Sequence, residues 1–314
     1  MTTILAIDQG TSGTKAVVVG EDAILALAEV ALRPQYLADG AVEQDPQDLW
    51  DSVLEAGRQA CARAQVPIDA VALANQGESV LAWDLGTGAA LTPILGWQDR
   101  RAEEVCAGLR EHADLVSERT GLVLDPYFAA PKQAWIRRNR TRTGVVTMTD
   151  SWLLHRLTGE FVTDAATASR SLLTSLDTAD WDADLLAVFG LDAEPLPRVL
   201  ACDEVAGTTT AFGAEVPVAG LIVDQQAALL AQGCIRPGDA KCTFGTGAFL
   251  LANVGTTARR PTTGLAASVA WRLAGTTTYC FDGQVYTAAS AVRWLESLGF
   301  IGSPADLDDV AAED

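Results

Sequence analysis

The run from Ile4 to Val19 (ILAIDQGTSGTKAVVV) and the run from Ala240 to Ala252 (AKCTFGTGAFLLA) use the same device: a strand, a tight Gly/Thr turn and a second strand. Glycine in such a turn permits positive φ and close backbone approach. Threonine and serine add hydroxyl donors. A turn of this kind bares a concave row of N–H groups, which suits a phosphate chain. One such hairpin reads equally well as a plain structural turn. Two of them in one chain predict two related half-domains that face a single polyphosphate.

Composition narrows the partners. The chain has 314 residues, enough for two domains, and 49% of them are apolar, so a sizeable core is available. With 22 basic and 41 acidic residues the formal charge is −19. That balance disfavours nucleic acid and anionic membrane surfaces. It leaves an ATP site open, because backbone amides and Mg²⁺ hold phosphate without a basic patch. Cys61, Cys106, Cys202, Cys234, Cys242 and Cys280 are scattered with no C-x-x-C pair. A reduced, cytoplasmic setting is expected, with no zinc site. No basic leader precedes Asp8 and no apolar run reaches the length of a bilayer span. His112 and His155 are the two histidines, and His155 in the run Trp152 to Arg156 reads as a structural helix residue.

The pattern of elements predicts an α/β fold. Strands are expected near 3–8, 14–19 and 23–31, as a meander. A helix is expected at 46–64, with Asp45 as N-cap, Pro46 in the first turn and Leu49, Trp50, Val53, Leu54 and Ala60 on one face. A buried strand at 68–74 runs into Asn75 to Glu78. A hairpin at 80–83 and 91–94 turns at Gly86 and Gly88. Helices follow near 99–111, 131–139, 150–158 and 180–188. A strand at 218–223 runs into Asp224 and a helix to about Gln232. After Gly238 a second meander is expected near 240–244, 248–253, 265–272 and 277–282, with a helix at 287–298. Three strands, a helix, a strand and a helix make the ribonuclease-H-like unit of actin-like ATPase folds. The expectation is a complete N-terminal domain over 1–235 and an incomplete second domain over 236–314.

Phosphoryl transfer to a hydroxyl needs phosphate positioning, a metal and a carboxylate to accept the hydroxyl proton. Asp8 ends the first strand, where it reads either as a turn cap or as a Mg²⁺ ligand acting through water. Asp224 ends a strand and opens a helix, where it reads as an N-cap, a general base, or both. No G-x-x-x-x-G-K-[ST] and no G-x-G-x-x-G occurs, so P-loop and Rossmann readings lack their motif.

Eight short runs carry a resemblance: Asp8–Lys15 (DQGTSGTK), Val42–Pro46 (VEQDP), Asn75–Glu78 (NQGE), Trp97–Arg101 (WQDRR), Gly121–Phe128 (GLVLDPYF), Ala168–Arg170 (ASR), Asp224–Ala227 (DQQA) and Phe244–Gly247 (FGTG). In order and spacing the chain resembles the FGGY carbohydrate kinases, on the side of the glycerol and related polyol kinases. The resemblance implies ATP and Mg²⁺ as cofactors and a small polyol or sugar as acceptor. It implies that Gly10, Thr11, Ser12 and Lys15 in the first hairpin, and Gly245, Thr246 and Gly247 in the second, contact the ATP phosphates. Asp8 would serve Mg²⁺ and Asp224 would be the base. Gln76, Glu78, Tyr127, Asp224 and Gln225 would hydrogen-bond the acceptor, with Trp97 and Phe249 against its carbon backbone. Taken singly, Trp97 and Phe249 read as core residues and Tyr127 as a loop anchor. The resemblance also implies a homo-oligomer as one possible state, since glycerol kinase relatives are often dimers or tetramers. Gly77 departs from the pattern, since glycerol kinases carry Arg there, and a larger polyol or keto-sugar is the expected consequence. The early end of the second meander is the other departure. It raises a second reading, a truncated polyol-binding chain without catalysis.

Overall fold

The computed structural model describes residues 2–245, 247–262, 264–285 and 287–312. Its main sheet has six strands in the order Gly207–Thr209, Val216–Val223, Ala70–Asn75, Ile4–Gln9, Gly13–Val19, Ile24–Ala31. The meander Ile4 to Ala31 is antiparallel. Ala70–Asn75 then joins Ile4–Gln9 in parallel, and Val216–Val223 joins Ala70–Asn75 in parallel. Parallel neighbours need a crossover, and the helix Pro46–Ala64 supplies the first.

That helix forms where the sequence places it. Asp45 accepts hydrogen bonds from the N–H of Gln47 at 2.7 Å and Asp48 at 3.3 Å, and Pro46 opens the first turn. It ends at Gln65, which takes the left-handed conformation at φ 54°. Leu49, Trp50, Val53, Ala56 and Ala60 are buried against Leu5, Ile7, Val18, Val71 and Leu73 of the sheet, while Leu54 is only partly buried. This cluster is the core of the first half.

The second sheet is fully antiparallel, in the order Ala240–Phe244, Ala248–Gly255, Thr276–Val285, Ala266–Leu273. Val269, Ala270, Trp271 and Leu251 pack from it onto Leu229 of the helix Asp224–Ala231. Its edge strand Ala266–Leu273 is stitched to the earlier chain. The N–H of Ala267 donates to the Gly121 carbonyl at 2.8 Å, and the N–H of Cys202 donates to the Arg272 carbonyl at 2.8 Å.

Two expectations are corrected. The helix expected over 99–111 is a short one, Glu103–Gly108, followed by a 3-10 turn at Arg110–His112 and a separate helix Ala113–Thr120 that stops at Gly121 with φ 75°. Gly108 interrupts the helical run, and a glycine interior is the weakest point of a helix. A strand at Val145–Met148 was not expected, yet it pairs with Val80–Trp83 over four residues. Of the two uses the sequence offered the turn glycines, positive φ and close approach, Gly10, Gly13 and Gly245 do not take the first. Close approach is the one seen. A Cβ on Gly13 would lie 2.9 Å from the Val30 carbonyl oxygen, and one on Gly247 would lie 2.7 Å from that of Val285. In each hairpin the returning strand thus starts pressed against its next neighbour in the sheet.

The six cysteines are free. Among the described residues, no helix is long and apolar enough to cross a membrane.

Candidate active site

Register alone brings the site together. Gln9 pairs with Asn75, and Asn75 pairs with Val223, so three parallel strands end level. Their continuations, Gly10, Gln76 and Asp224, emerge at one edge of the sheet. This is where open α/β sheets present ligand crevices. A cavity of about 360 Å³ opens there, lined from the first half by Thr11, Ser12, Gln76, Glu78, Trp97, Tyr127 and Asp224, and from the second by Gly245, Gly247, Phe249 and Asp282.

Asp224 is the first residue of its helix, and its Oδ1 accepts the N–H of Gln225 at 2.7 Å. Burial pushes its carboxyl up to about 7, and the nearby charges of Glu78 and Asp8 push the same way; the Gln225 N–H and Lys241 oppose them. Lys241 is buried. Its ammonium donates to Gln225 Oε1 at 2.6 Å and to Thr243 Oγ1 at 2.8 Å, and burial lowers its pKa. The amide oxygen of Gln225 is therefore occupied by Lys241.

Glu78 sits on a strained backbone at φ 58°. It is buried, and burial raises its carboxyl against the pull of Arg170 and Lys132. Arg170 donates to Glu78 Oε1 at 2.6 Å and lies 3.0 Å from Asp282 Oδ2. All three side chains are buried. The guanidinium also covers the rings of Tyr127 and Phe128, at 5.9 and 5.2 Å from their centroids. Its two carboxylate partners hold its pKa well above the usual value, although burial alone would lower it.

Trp97 stands between Tyr127 and Phe249, edge-to-face with both, with ring centroids at 5.8 and 6.0 Å. This makes an aromatic wall along the cavity. The loop that carries Tyr127 is held from beneath by Lys132, which is fully buried. Its ammonium donates to three consecutive carbonyls, those of Pro126 and Phe128 at 2.9 Å each and that of Tyr127. Burial pushes Lys132 down to about 7, while Glu78, Asp99 and Asp125 pull it up.

The two hairpin turns close alike. Gly10 N–H donates to the Gly13 carbonyl at 3.0 Å, and Gly245 N–H to the Gly247 carbonyl at 2.8 Å. Both turns border the cavity, so the first and second halves do face one space. Thr246 lies outside the described residues. Lys15 pairs across the first hairpin with Asp8 and, 4.0 Å away, with Glu29. Neither Asp8 nor Lys15 is among the residues lining the cavity. Burial raises the Asp8 carboxyl, Lys15 lowers it, and Glu29 raises it.

Among the described residues no group of three His, Cys, Asp or Glu side chains forms a ready-made metal cage. Mg²⁺ delivered with phosphates keeps several waters and needs only one or two carboxylates. Asp8, accessible to solvent and within electrostatic reach of Asp224, fits that part.

The sequence expectation placed Glu78, Trp97, Tyr127, Asp224, Gln225 and Phe249 around the acceptor, and all six border the cavity. Gln76 borders it too, but its side chain is committed inward. It donates to Gln44 Oε1 at 2.9 Å and accepts from Thr11 and Ser79 at 3.2 Å each. Sequence reasoning missed Asp282, Lys132 and Lys241, and it used Arg170 only as part of a motif. Buried charge is visible only when its partners are, and these partners are remote in the chain.

Comparison with known proteins follows the same line. The model of the N-terminal domain of the FGGY family of carbohydrate kinases matches residues 3–231. Glycerol kinase of Methylobacterium nodulans is 43% identical, over 98% of this chain and 65% of its own. Glycerol kinase of Alkalilimnicola ehrlichii is 41% identical, over 100% of this chain and 67% of its own. Among solved structures, glycerol kinase of Plasmodium falciparum with ADP superimposes with TM-score 0.92 at 28% identity, over 100% of this chain and 67% of that one. Xylulose kinase of Rhodospirillum rubrum superimposes with TM-score 0.88 at 25% identity, over 99% of this chain and 67% of that one. The chain thus spans about two thirds of the length of the relatives it matches.

Proposed function

The chain belongs to the FGGY family of carbohydrate kinases, closely related to the glycerol kinases, and from that premise we propose that it transfers the γ-phosphoryl group of ATP to a hydroxyl of a small polyol. Glycerol is the first acceptor to test, because the relatives compared above include two curated glycerol kinases. The observation that carries the reading is the placement of Asp224. A carboxylate pushed up to about 7 stands at a strand end, in a cavity shared by an aromatic wall and two phosphate-type turns. A base poised near the working pH is what proton abstraction from an alcohol requires.

In this reading the acceptor lies along Trp97 and Phe249 by its C–H faces, while Glu78, Tyr127 and Asp224 meet its hydroxyls. Asp224 takes the proton from the attacking hydroxyl. The two turns aim backbone N–H groups at the phosphate chain. Asp8 would hold Mg²⁺, which would supply charge neutralisation for phosphoryl transfer. Residues 1–235 and 236–314 act as the two walls of the cleft, and their closure excludes water.

The test is ADP release by this chain with Mg²⁺ and ATP across glycerol, erythritol, ribitol, xylulose and ribulose. Acceptor-dependent release supports the kinase reading and ranks the acceptors. ADP release that ignores the acceptor refutes it. Acceptor binding with no turnover would support polyol binding without catalysis for this polypeptide.

A further inference from the structure

Lys241 is the second residue of the strand Ala240–Phe244, and it is 3% exposed. A lysine is seldom buried without a partner that needs its charge. Its ammonium reaches from the second sheet to the helix Asp224–Ala231 and donates to Gln225 Oε1 at 2.6 Å. Thr243 Oγ1, two residues along on the same face of the strand, accepts from it at 2.8 Å. Asp224 and Asp282 are the carboxylates close enough to favour its charge against burial. Asp224, Gln225 and Thr243 line the cavity, and Lys241 does not. The ammonium therefore stands behind the wall of the site.

An ammonium has three hydrogens to give and no lone pair to offer. It can meet a primary amide only at oxygen, so the bond to Lys241 fixes which way round the Gln225 amide stands. With Oε1 turned to Lys241, Nε2 and its two hydrogens are the end left to a ligand in the cavity. The neighbouring Asp224 offers the opposite polarity, a carboxylate that accepts. A polyol hydroxyl carries both a proton and lone pairs. One residue can meet the proton and the next the lone pair. We propose that Lys241 is a positioning residue for the acceptor: from behind the wall it holds Gln225 as a hydrogen-bond donor beside the base. This rests on the polyol-kinase reading of the cleft. An amide released from Lys241 is free to turn Oε1 toward the ligand, which sets a second acceptor beside Asp224 and leaves the ligand's lone pair unmet. The strand that carries Lys241 and Thr243 also leads into the second Gly/Thr turn, so the polarity of the acceptor pocket is set from a phosphate-type hairpin.

Lys241→Met keeps the length of the side chain and removes its donors, and Gln225→Ala removes the amide. Calorimetry with glycerol on the parent, both single variants and the double variant closes a double-mutant cycle. Each single variant is expected to weaken glycerol about tenfold, the scale of one lost hydrogen bond. The double variant is expected to lie within about threefold of the weaker single, because Lys241 acts through Gln225. Losses that multiply toward about a hundredfold, or no loss in Lys241→Met, would overturn the proposal. Gln225→Glu reads the orientation and leaves the buried lysine in place, so it decides the matter if Lys241→Met does not fold. It keeps an oxygen toward Lys241 and puts a second oxygen where Nε2 was. A loss of about tenfold supports the donor role, and unchanged affinity for glycerol overturns it. A parent chain that binds no polyol would instead strike the functional reading. The positioning is then judged by urea unfolding without ligand. Gln225→Glu is expected to lower the midpoint more in the Lys241→Met background than in the parent, and an equal shift in both overturns the proposal.

Discussion

Arg170→Met offers the sharpest test of how the cleft is held. The guanidinium bridges Glu78 at 2.6 Å and Asp282 at 3.0 Å, and the three side chains are 3–5% exposed. Methionine fills much of the same volume and keeps contact with the rings of Tyr127 and Phe128, so packing changes little. What changes is charge. Two buried carboxylates are left without their cation, and breaking a buried pair in this way costs about 3–5 kcal/mol. For a chain of this size that corresponds to a fall in melting temperature of roughly 6–20 °C. The effect has a pH signature. Burial already raises Glu78, and without Arg170 it rises further. A raised carboxyl binds its proton more tightly in the folded state, so folding gains stability as pH falls through that pKa. The deficit of the variant is therefore largest above neutrality and shrinks toward acid. Urea unfolding of parent and variant at several pH values reads both. A loss under about 1 kcal/mol at neutral pH, or a loss that does not vary with pH, would refute the claim that Arg170 is held by two ionised acids.

Asp224→Asn is expected to abolish acceptor-dependent ADP release while polyol affinity by calorimetry stays within about tenfold. In the parent, a base with its pKa raised to about 7 is increasingly deprotonated as pH climbs, so the rate at saturating acceptor should rise through that pH and then level. For Gly77→Arg, the added Cβ comes 3.0 Å from Val223 Cγ2, a contact that a small side-chain shift relieves. The expected result in the acceptor panel is a shift toward glycerol over longer polyols. Lys132→Met strips three carbonyls of their donor, costing on the order of 1–3 kcal/mol in urea unfolding. It is also expected to weaken polyol binding by loosening the segment that carries Tyr127.

How much was legible varies with the range of the forces involved. The helix Pro46–Ala64 was readable end to end, because its cap, its proline and its apolar stripe are all local. Both hairpins were readable for the same reason. Which of two uses their glycines serve was not: the pattern allowed positive φ and close approach alike, and Gly13 and Gly247 are required by the carbonyls of Val30 and Val285, which lie on strands the turn itself does not contain. Strand Val145–Met148 was missed because its four buried residues carry no alternation. Its identity comes from Val80–Trp83 beside it. Thr11 and Gln76 were read as ligand contacts from their neighbours in the chain; that they also bond across the fold to Trp97, Gln44 and Ser79 could not be read there.

By itself, then, the sequence determined the half-domain plan, the strand ends where Asp8 and Asp224 stand, and the residue types along the cleft. These follow from periodicity, caps and turn chemistry, which act over a few residues. Only the tertiary structure decided which polar groups remain available to a ligand. Parallel register levelled Gln9, Asn75 and Val223, and the fold carried Arg170 between Glu78 and Asp282. A hydrogen bond or ion pair satisfied across the fold is invisible from either partner alone, and its cost or benefit arises only once water has been removed.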